Sequence, residues 1–200
     1  MKILFVSSGN SQQGPGILVK NQGESLKAHG VDIDYFTIQG KGIMGYVKNI
    51  PRLRRFLKRN PHDIVHAHYS LSGIVSLLAG ARPLVVSLMG SDIQGKTYLK
   101  FIYKLFRRFL EKNVIVKSES LKKKIKSANA RVIPNGVDFD RFTLMDRGTA
   151  RREVGFVEDL KYIIFVADPG RYEKNVELAQ KALEFLKDDR VKLHVVHNTG

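Results

Sequence analysis

Short apolar runs alternate with longer amphipathic segments along most of the chain. The runs "KILFVSS", "DIVHAH", "RPLVVSLMG", "NVIVKS" and "ARVIP" have the length and the β-branched content of buried strands. The segments between them include "PGILVKNQGESLKAHG", "TYLKFIYKLFRRFLEK" and "ESLKKKIKSA", which repeat apolar residues at helical spacing. This order predicts an α/β fold with a doubly wound, mostly parallel Rossmann-like sheet and helices on both of its faces.

Two residues help to locate where predicted helices begin and end. Gly30 follows the first amphipathic segment and is suited to end that helix. Pro51 opens "PRLRRFLKRN", and we predict that it lies in the first turn of a basic helix, where a missing N–H does no harm.

The alternation lapses in "TLMDRGTARREVGFVEDL" and resumes with "KYIIFVA", "KNVELAQKALEFLKD" and "VKLHVV". We therefore predict a first domain at residues 1–145. Residues 146–200 are predicted to hold a linker with one short helix and the beginning of a second α/β domain. A βαβ unit buries little core alone, so it either extends the first sheet or starts a truncated domain, and we favour the truncated domain.

Composition narrows the class of protein. The chain has no cysteine, which excludes disulfide scaffolds and thiolate metal sites, and no apolar run approaches the roughly 20 residues that span a bilayer. The first residues resemble a strand and not a signal peptide, so we expect a cytoplasmic protein.

The net charge of +15 indicates an anionic partner such as nucleic acid, lipid headgroups or a phosphorylated substrate. Its bases concentrate in residues 41–60 and 95–126. These segments are either core helices with a solvated basic side or a cationic face for an anionic membrane, where the protein would be peripheral. A nucleic-acid partner is disfavoured, because no RNA-binding motif or helix-turn-helix is present.

Candidate site residues follow the predicted strands. Gly14 and Gly16 precede the first helix, where backbone amides favour an anion, although their spacing is not that of a dinucleotide site. His66 and His68 lie on the same side of a strand; they are either structural or functional, and no third residue suggests a metal site.

Other strands end in small polar or charged residues. Asp92, and Ser118 with Glu119, have the positions of helix N-caps. Asn135 and Gly136 usually mark a hairpin, but no alternating strand follows them, so we predict a turn at the ligand edge of the sheet. Because several strands deliver such residues to one edge, the sequence favours a site over isolated caps.

In the second unit, Arg171 and Lys174 stand between a predicted strand and a predicted helix. Two cations at a helix N-terminus suit a diphosphate, whereas the alternative is a solvated basic loop.

Taken together, "GPG", "DIVHAHYSLSG", "VVSLMGSDI", "VIVKSESLKKKI", "VIPNGVDFDRF" and "FVADPGRYEKN" resemble, in order, the retaining GT-B glycosyltransferases of family 4. The resemblance implies two Rossmann-like domains across a cleft, the first for the acceptor and the second for a nucleotide-sugar donor. It implies transfer of a sugar from a nucleotide diphosphate to a glycan or lipid-linked acceptor hydroxyl with retention, in polysaccharide or glycolipid synthesis. No metal or other cofactor is expected, since basic residues and helix dipoles stabilise the leaving diphosphate.

The resemblance also implies roles for the candidate residues. Gly14 and Gly16 would border the diphosphate and Lys174, with Arg171, would hold it. His68 would be the catalytic residue that faces the sugar or acceptor. The remaining candidates would line the cleft: Asp92, Ser118, Glu119, Asn135 and Gly136.

Three departures from the family pattern matter. Met89 stands where the family usually has a histidine, and Arg171 is closer to Lys174 than usual. The later acidic motif that binds the donor has no counterpart, so we expect the 200 residues alone to be inactive. A non-catalytic, membrane-attached scaffold of the same fold is therefore an alternative.

Overall fold

The computed structural model describes residues 1–9, 14–40, 42–90 and 97–197. Contacts between residues divide the chain into two compact units, Met1–Val137 and Asp138–Gly200. The first unit contains a six-stranded sheet and the second a two-stranded sheet.

All neighbouring strands of the first sheet are parallel, in the order β2-β1-β3-β4-β5-β6. Their bounds are β1 Lys2–Ser8, β2 Asp32–Ile38, β3 Ile64–His68, β4 Leu84–Leu88, β5 Val114–Val116 and β6 Ala130–Val132. The predicted doubly wound parallel sheet is confirmed.

Helices connect the successive strands of this sheet. They are α1 Ile17–Ala28, α2 Gly42–Arg59, α3 Ser70–Ala79, α4 Thr97–Leu110 and α5 Glu119–Ile125. The chain leaves α1 through His29 and Gly30, whose φ of 79° suits glycine, as the sequence predicted. In the part of the chain that the structure describes, no helix is both long and apolar enough to cross a bilayer.

The core of the first unit lies on both faces of the sheet. On one face, Leu4 and Val6 pack with Leu53 of α2 and Val75 of α3. Because side chains alternate along a strand, the neighbouring residues of β1 point to the opposite face, where Phe5 and Ile3 pack with Val19 of α1. Helices on both faces are what the sequence predicted.

The strand order reverses beside β1. From β1 the chain passes through α1 to β2 on one side, and then through α2 to β3 on the other side. In open α/β sheets, ligands bind at the carboxyl ends of the strands at such a switch point. The fold therefore favours a site where β1 and β3 end.

The predicted position of Pro51 was wrong. Pro51 lies inside α2, which begins nine residues earlier, at Gly42. Close packing before Pro51 supports this earlier start. A Cβ on Gly45 would lie 2.3 Å from the Gly40 carbonyl carbon, so the two glycines approach each other closely. The buried Asn49 amide donates to the carbonyl oxygens of Gln39 at 2.8 Å and Gly45 at 2.6 Å. These contacts outweigh the preference of proline for a first turn.

The second unit consists of α6 Arg147–Glu153, β7 Lys161–Val166, a 3-10 turn Tyr172–Lys174, α7 Val176–Leu186 and β8 Val191–Val196. The two strands are parallel, and α6 is the short helix that the sequence predicted in the linker. Ile163, Ile164 and Val166 of β7 are exposed, and all the fully buried side chains of the described residues belong to the first unit. The second unit thus has little core of its own.

Candidate functional site

The candidate site lies at the switch point, where β1 ends at Ser8 and β3 ends at His68. The register pairs Val6 with Ala67 across the two strands, so both carboxyl ends reach the same edge of the sheet. The segment that follows β1 leads to Gly14, Gly16 and α1. The sheet therefore brings the glycines and His68 to one edge.

His66 and His68 lie on the same side of β3, as the alternation predicted. Their rings stack with centroids 4.3 Å apart, and each makes a T-shaped contact with the Phe5 ring. Nε2 of His66 is hydrogen-bonded to Oγ of Ser87 at 2.8 Å. This bond and the ring contacts fix the orientation of His66 and hold His68 against it.

Two buried polar atoms near the end of β3 have no hydrogen-bond partner among the described residues: Nε2 of His68 and Oγ of Ser72. The exposed fraction of His68 is 4%, and Ser72 is fully buried. Buried polar groups in proteins are nearly always hydrogen-bonded. Within the described residues, both atoms therefore retain a hydrogen-bonding capacity that is not used.

Burial keeps both histidines neutral at physiological pH. It lowers the pKa of His66 from 6.5 to about 4, and the charge of Lys117 lowers it further. The pKa of His68 falls to about 2, through burial first and then through His66 and Lys117. A neutral imidazole can accept or donate a hydrogen bond without adding a charge to the site.

Lys117 is a cation at this edge that the sequence did not single out. It follows β5 directly, is half-buried, and its pKa is lowered by burial. Its charge acts on both His66 and His68. The only signal in the sequence was the alternation of "VIVK", which cannot show that β5 and β3 lie in the same sheet with β4 between them.

Gly14 and Gly16 lie before α1 with no described residue packed against them. A Cβ on either glycine would meet none of the described residues within 4 Å, and Gly14 has a φ of 151° that other residues rarely adopt. Gly16 is the N-cap of α1, and the first turn of this helix has no acidic residue. Amides at such a helix end can bind an anionic group closely.

Ser118 and Glu119 are at the N-terminus of α5, as predicted. Ser118 is the N-cap, and its Oγ accepts a hydrogen bond from the Leu121 N–H at 3.2 Å. Both side chains are exposed. The cap accounts for Ser118 locally, and its exposure leaves it accessible at the same edge as His68.

Asn135 and Gly136 follow β6 in an exposed segment without a hairpin. The Ile133 N–H, which donates to the Val116 carbonyl oxygen at 2.9 Å, is the last backbone link of this strand to β5. Asn135 and Gly136 therefore follow the last strand at the predicted edge, but the turn predicted for them is absent: they lie in irregular chain, and the turn comes later, at residues 139–141. Asp92, the other predicted residue of this edge, lies outside the described residues.

Arg171 and Lys174 lie in the second unit between β7 and α7, as predicted. The Arg171 guanidinium is paired with the Glu173 carboxylate, with Nε 2.8 Å from Oε1. Lys174 is exposed at the end of the 3-10 turn, directly before Asn175, the N-cap of α7. Glu173 already offsets much of the charge of Arg171, so Lys174 is the better candidate for a bound anion.

Within the described ranges, no three histidine, aspartate or glutamate side chains come together as a metal site. The histidine pair of β3 has a serine, a phenylalanine and a lysine as its neighbours. This set of residues suits the recognition of a polar organic group.

Comparison with known families shows that the family described as Glycosyltransferase Family 4 matches residues 17–141. This range runs from the start of α1 past Asn135 and Gly136. It therefore covers most of the first unit, including His68, Lys117 and Ser118.

Among characterised proteins, the chain is similar to D-inositol 3-phosphate glycosyltransferase of Geodermatophilus obscurus. The two are 30% identical over 159 residues, which make up 68% of this chain and 35% of the relative. The chain thus spans about a third of the length of that relative.

Two solved structures share the fold. Sucrose-phosphate synthase from Thermosynechococcus elongatus has a TM-score of 0.71 and 17% identity, covering 99% of this chain and 71% of that one. Anabaena HepE, in complex with UDP and glucose, has a TM-score of 0.61 and 19% identity, covering 98% of this chain and 70% of that one.

Proposed function

The chain belongs to Glycosyltransferase Family 4, and from this membership we propose that it is part of an enzyme that transfers a sugar from a nucleotide diphosphate to an acceptor hydroxyl. The observation that carries the proposal is the switch-point edge of the first sheet, where β3 ends at the buried, neutral His68 and Gly14 and Gly16 precede the helix that follows β1. We further propose retention of the anomeric configuration and a role in polysaccharide or glycolipid synthesis in the cytoplasm.

The first unit would hold the acceptor and contact the donor. The amides at the N-terminus of α1 can approach a diphosphate because no described residue is packed against Gly14 and Gly16. Nε2 of His68 would hydrogen-bond a hydroxyl of the transferred sugar or of the acceptor. The other lining residues are assigned to positioning: Asp92, Ser118, Glu119, Asn135 and Gly136.

The second unit would hold the donor diphosphate through Lys174, with a smaller part for Arg171 because of its pairing with Glu173. A cation and a helix N-terminus can stabilise the charge that develops on a leaving diphosphate, so the proposed reaction needs no metal ion. The name of the Geodermatophilus obscurus relative supports sugar transfer, and the UDP and glucose bound to Anabaena HepE support a donor built on a nucleoside diphosphate.

Lys174→Ala tests the donor site in the natural full-length protein that contains these residues. We expect the Kd for UDP or another nucleoside diphosphate to rise about ten-fold, the effect of losing one charge-assisted hydrogen bond. Calorimetric titration measures this, with Lys187→Ala as the control, since Lys187 is also exposed on the second unit. The proposal fails if the parent protein binds no nucleoside diphosphate.

A second candidate function is a non-catalytic scaffold of the same fold. The half-buried Met89 directly after β4, where the family usually has a histidine, and the pairing of Arg171 with Glu173 favour it. Mass spectrometry of reactions with UDP-sugars separates the two functions. An enzyme consumes the donor, whereas a scaffold can bind it and leaves it intact.

A further inference from the structure

The outer side of α4 carries an exposed apolar stripe. Phe101, Leu105 and Phe109 are 69%, 67% and 53% exposed. They are four residues apart and so lie on one side of the helix. Tyr103 and Leu110 occupy its inner side and are buried in the core of the first unit. The stripe is therefore not part of the core that the described residues of the first unit form.

A row of cations runs beside this stripe. Lys104, Arg108 and Lys112 are exposed and follow the same four-residue spacing. Each of the first two directly precedes an apolar residue of the stripe, Leu105 or Phe109. The outer surface of α4 thus combines apolar side chains with an adjacent line of positive charge.

The one acidic residue between residues 97 and 112 does not offset that charge. Glu111 is buried and accepts hydrogen bonds from Tyr103 Oη and from Arg107 Nε, the latter at 3.0 Å. Arg107 also donates to the Ile125 carbonyl oxygen. Both groups are turned to the body of the unit, so the exposed charge of the helix is positive only.

A second basic helix belongs to the same layer. Helix α2 packs against α3, which packs against α4, and all three lie on one face of the sheet. The sequence of α2 has no acidic residue, and its bases Lys48, Arg55 and Lys58 are exposed. The positive potential therefore extends across this side of the unit.

We propose that the outer face of α4 docks on an anionic lipid bilayer, with Phe101, Leu105 and Phe109 inserted at the boundary of headgroups and acyl chains. Amphipathic helices with apolar side chains on one side and bases on the other bind lipid surfaces in this way. Lys104, Arg108 and Lys112 would lie at the level of the phosphates and contact them. This inference goes beyond the proposed function and does not rest on it.

The combination of groups selects lipid as the partner. A nucleic acid would bind the basic side chains, but it would leave the three apolar side chains on the same side of the helix without a partner. A second copy of the chain would bring the same row of cations against itself, which repels. An anionic bilayer satisfies the apolar stripe and the cations together.

Vesicle sedimentation with the natural full-length protein tests the proposal. The probes are vesicles of phosphatidylglycerol with phosphatidylcholine, and vesicles of phosphatidylcholine alone. We expect binding to the anionic vesicles that falls with added salt. The triple variant Phe101→Ser, Leu105→Ser, Phe109→Ser should lower the partition coefficient at least about ten-fold. Each substitution removes the favourable free energy of transferring an apolar side chain into the bilayer.

The triple variant Lys104→Gln, Arg108→Gln, Lys112→Gln tests the cations. Each base near an anionic surface contributes about five-fold to partitioning, so we expect a loss of about a hundred-fold. Circular dichroism should show the parent helix content in both variants, because the substituted side chains are exposed.

Two matched controls come from the second unit. The variant Phe139→Ser, Leu178→Ser, Phe185→Ser removes the same three residue types from positions that are exposed in the 200-residue chain, and it is compared with the stripe variant of that chain. The variant Lys181→Gln, Lys192→Gln, Arg147→Gln removes the same charges from exposed positions. Both should retain anionic vesicle binding within about three-fold, apart from the small long-range effect of net charge.

Four results would overturn the proposal. One is absence of parent binding to the anionic vesicles, and another is equal loss in the stripe variant and its control. The third is a light-scattering mass that shows a dimer lost only in the stripe variant, which would assign the stripe to a second copy. Binding to duplex DNA that depends on the cations and not on the stripe, without vesicle binding, would assign the surface to nucleic acid.

Discussion

The two histidines of β3 are buried, and burial lowers their pKa values strongly. Their pKa values lie below the ordinary 6.5, at about 4 for His66 and about 2 for His68, because the interior disfavours the imidazolium form. The unfolded chain therefore binds protons before the folded chain does as the pH falls. Stability that is present above pH 6.5 is lost progressively below it.

We expect the free energy of unfolding to decrease by about 1.4 kcal/mol per pH unit for each of these histidines, between pH 6.5 and pH 4. His68→Asn removes one titrating group, so its stability should depend less on pH in this range by that amount. Urea unfolding followed by circular dichroism at several pH values measures the slope.

The control is His194→Asn, which makes the same substitution at an exposed histidine of the second unit. A parent slope in His68→Asn would show that His68 is protonated in the folded protein.

At this scale the sequence predicted part of the site. Alternation along "DIVHAH" placed His66 and His68 on one side of a strand, and the structure shows their rings stacked. Ser87 and Lys117 could not be predicted as their neighbours, because they come from strands whose order depends on long-range pairing. Local periodicity carries no information on that order.

At the scale of elements, α2 shows where local signals fail. Proline is favoured in a first turn and disfavoured in a helix interior, yet Pro51 lies within α2. The close approach of Gly45 to Gly40 and the buried amide of Asn49 hold the preceding turns. These contacts join residues that no helical pattern connects, which is why the sequence misplaced the start of the helix.

Pro51→Ala should stabilise the protein. An alanine restores an N–H that can donate to the Val47 carbonyl oxygen, and it has a higher helix propensity than proline. The more flexible unfolded chain offsets part of this effect, so we expect the free energy of unfolding to rise by about 2 kcal/mol. The midpoint of urea unfolding measures the gain.

Gly45→Ala is the matched comparison in the same helix. Alanine normally favours a helix over glycine by about 1 kcal/mol. Here its Cβ would lie 2.3 Å from the Gly40 carbonyl carbon, so we expect destabilisation. A stabilised Gly45→Ala would mean that this approach of the two glycines does not hold in solution.

At the scale of the whole molecule, the two units differ in how much they bury. The first unit packs both faces of a six-stranded sheet, whereas the described strands of the second leave Ile163, Ile164 and Val166 exposed. The alternation of strands and helices was enough to predict the α/β class and the parallel sheet, because those follow from periodicity and connection length. The resemblance to the family was predicted from motifs that lie at the ends of several strands.

Hydrogen exchange should separate the units. Amides of β1, β3 and β4 are expected to exchange only with global unfolding, because their side chains are buried on both faces of the sheet. Amides of β7 and β8 should exchange at least about a hundred-fold faster, since local opening there exposes little additional apolar surface. Mass spectrometry of peptides from the 200-residue chain measures both, and equal protection would contradict the difference in burial.

The two-stranded sheet of the second unit has a wider consequence. Each of its strands has, within the described residues, hydrogen bonds to one neighbouring strand, so each presents an outer row of backbone donors and acceptors beside exposed apolar side chains. Such an edge is a template on which further strands can assemble, from the same polypeptide or from another molecule. The association state of this chain therefore depends on its concentration. Dilute samples contain the isolated fold, and concentrated samples contain assemblies in which further strands have added to this edge.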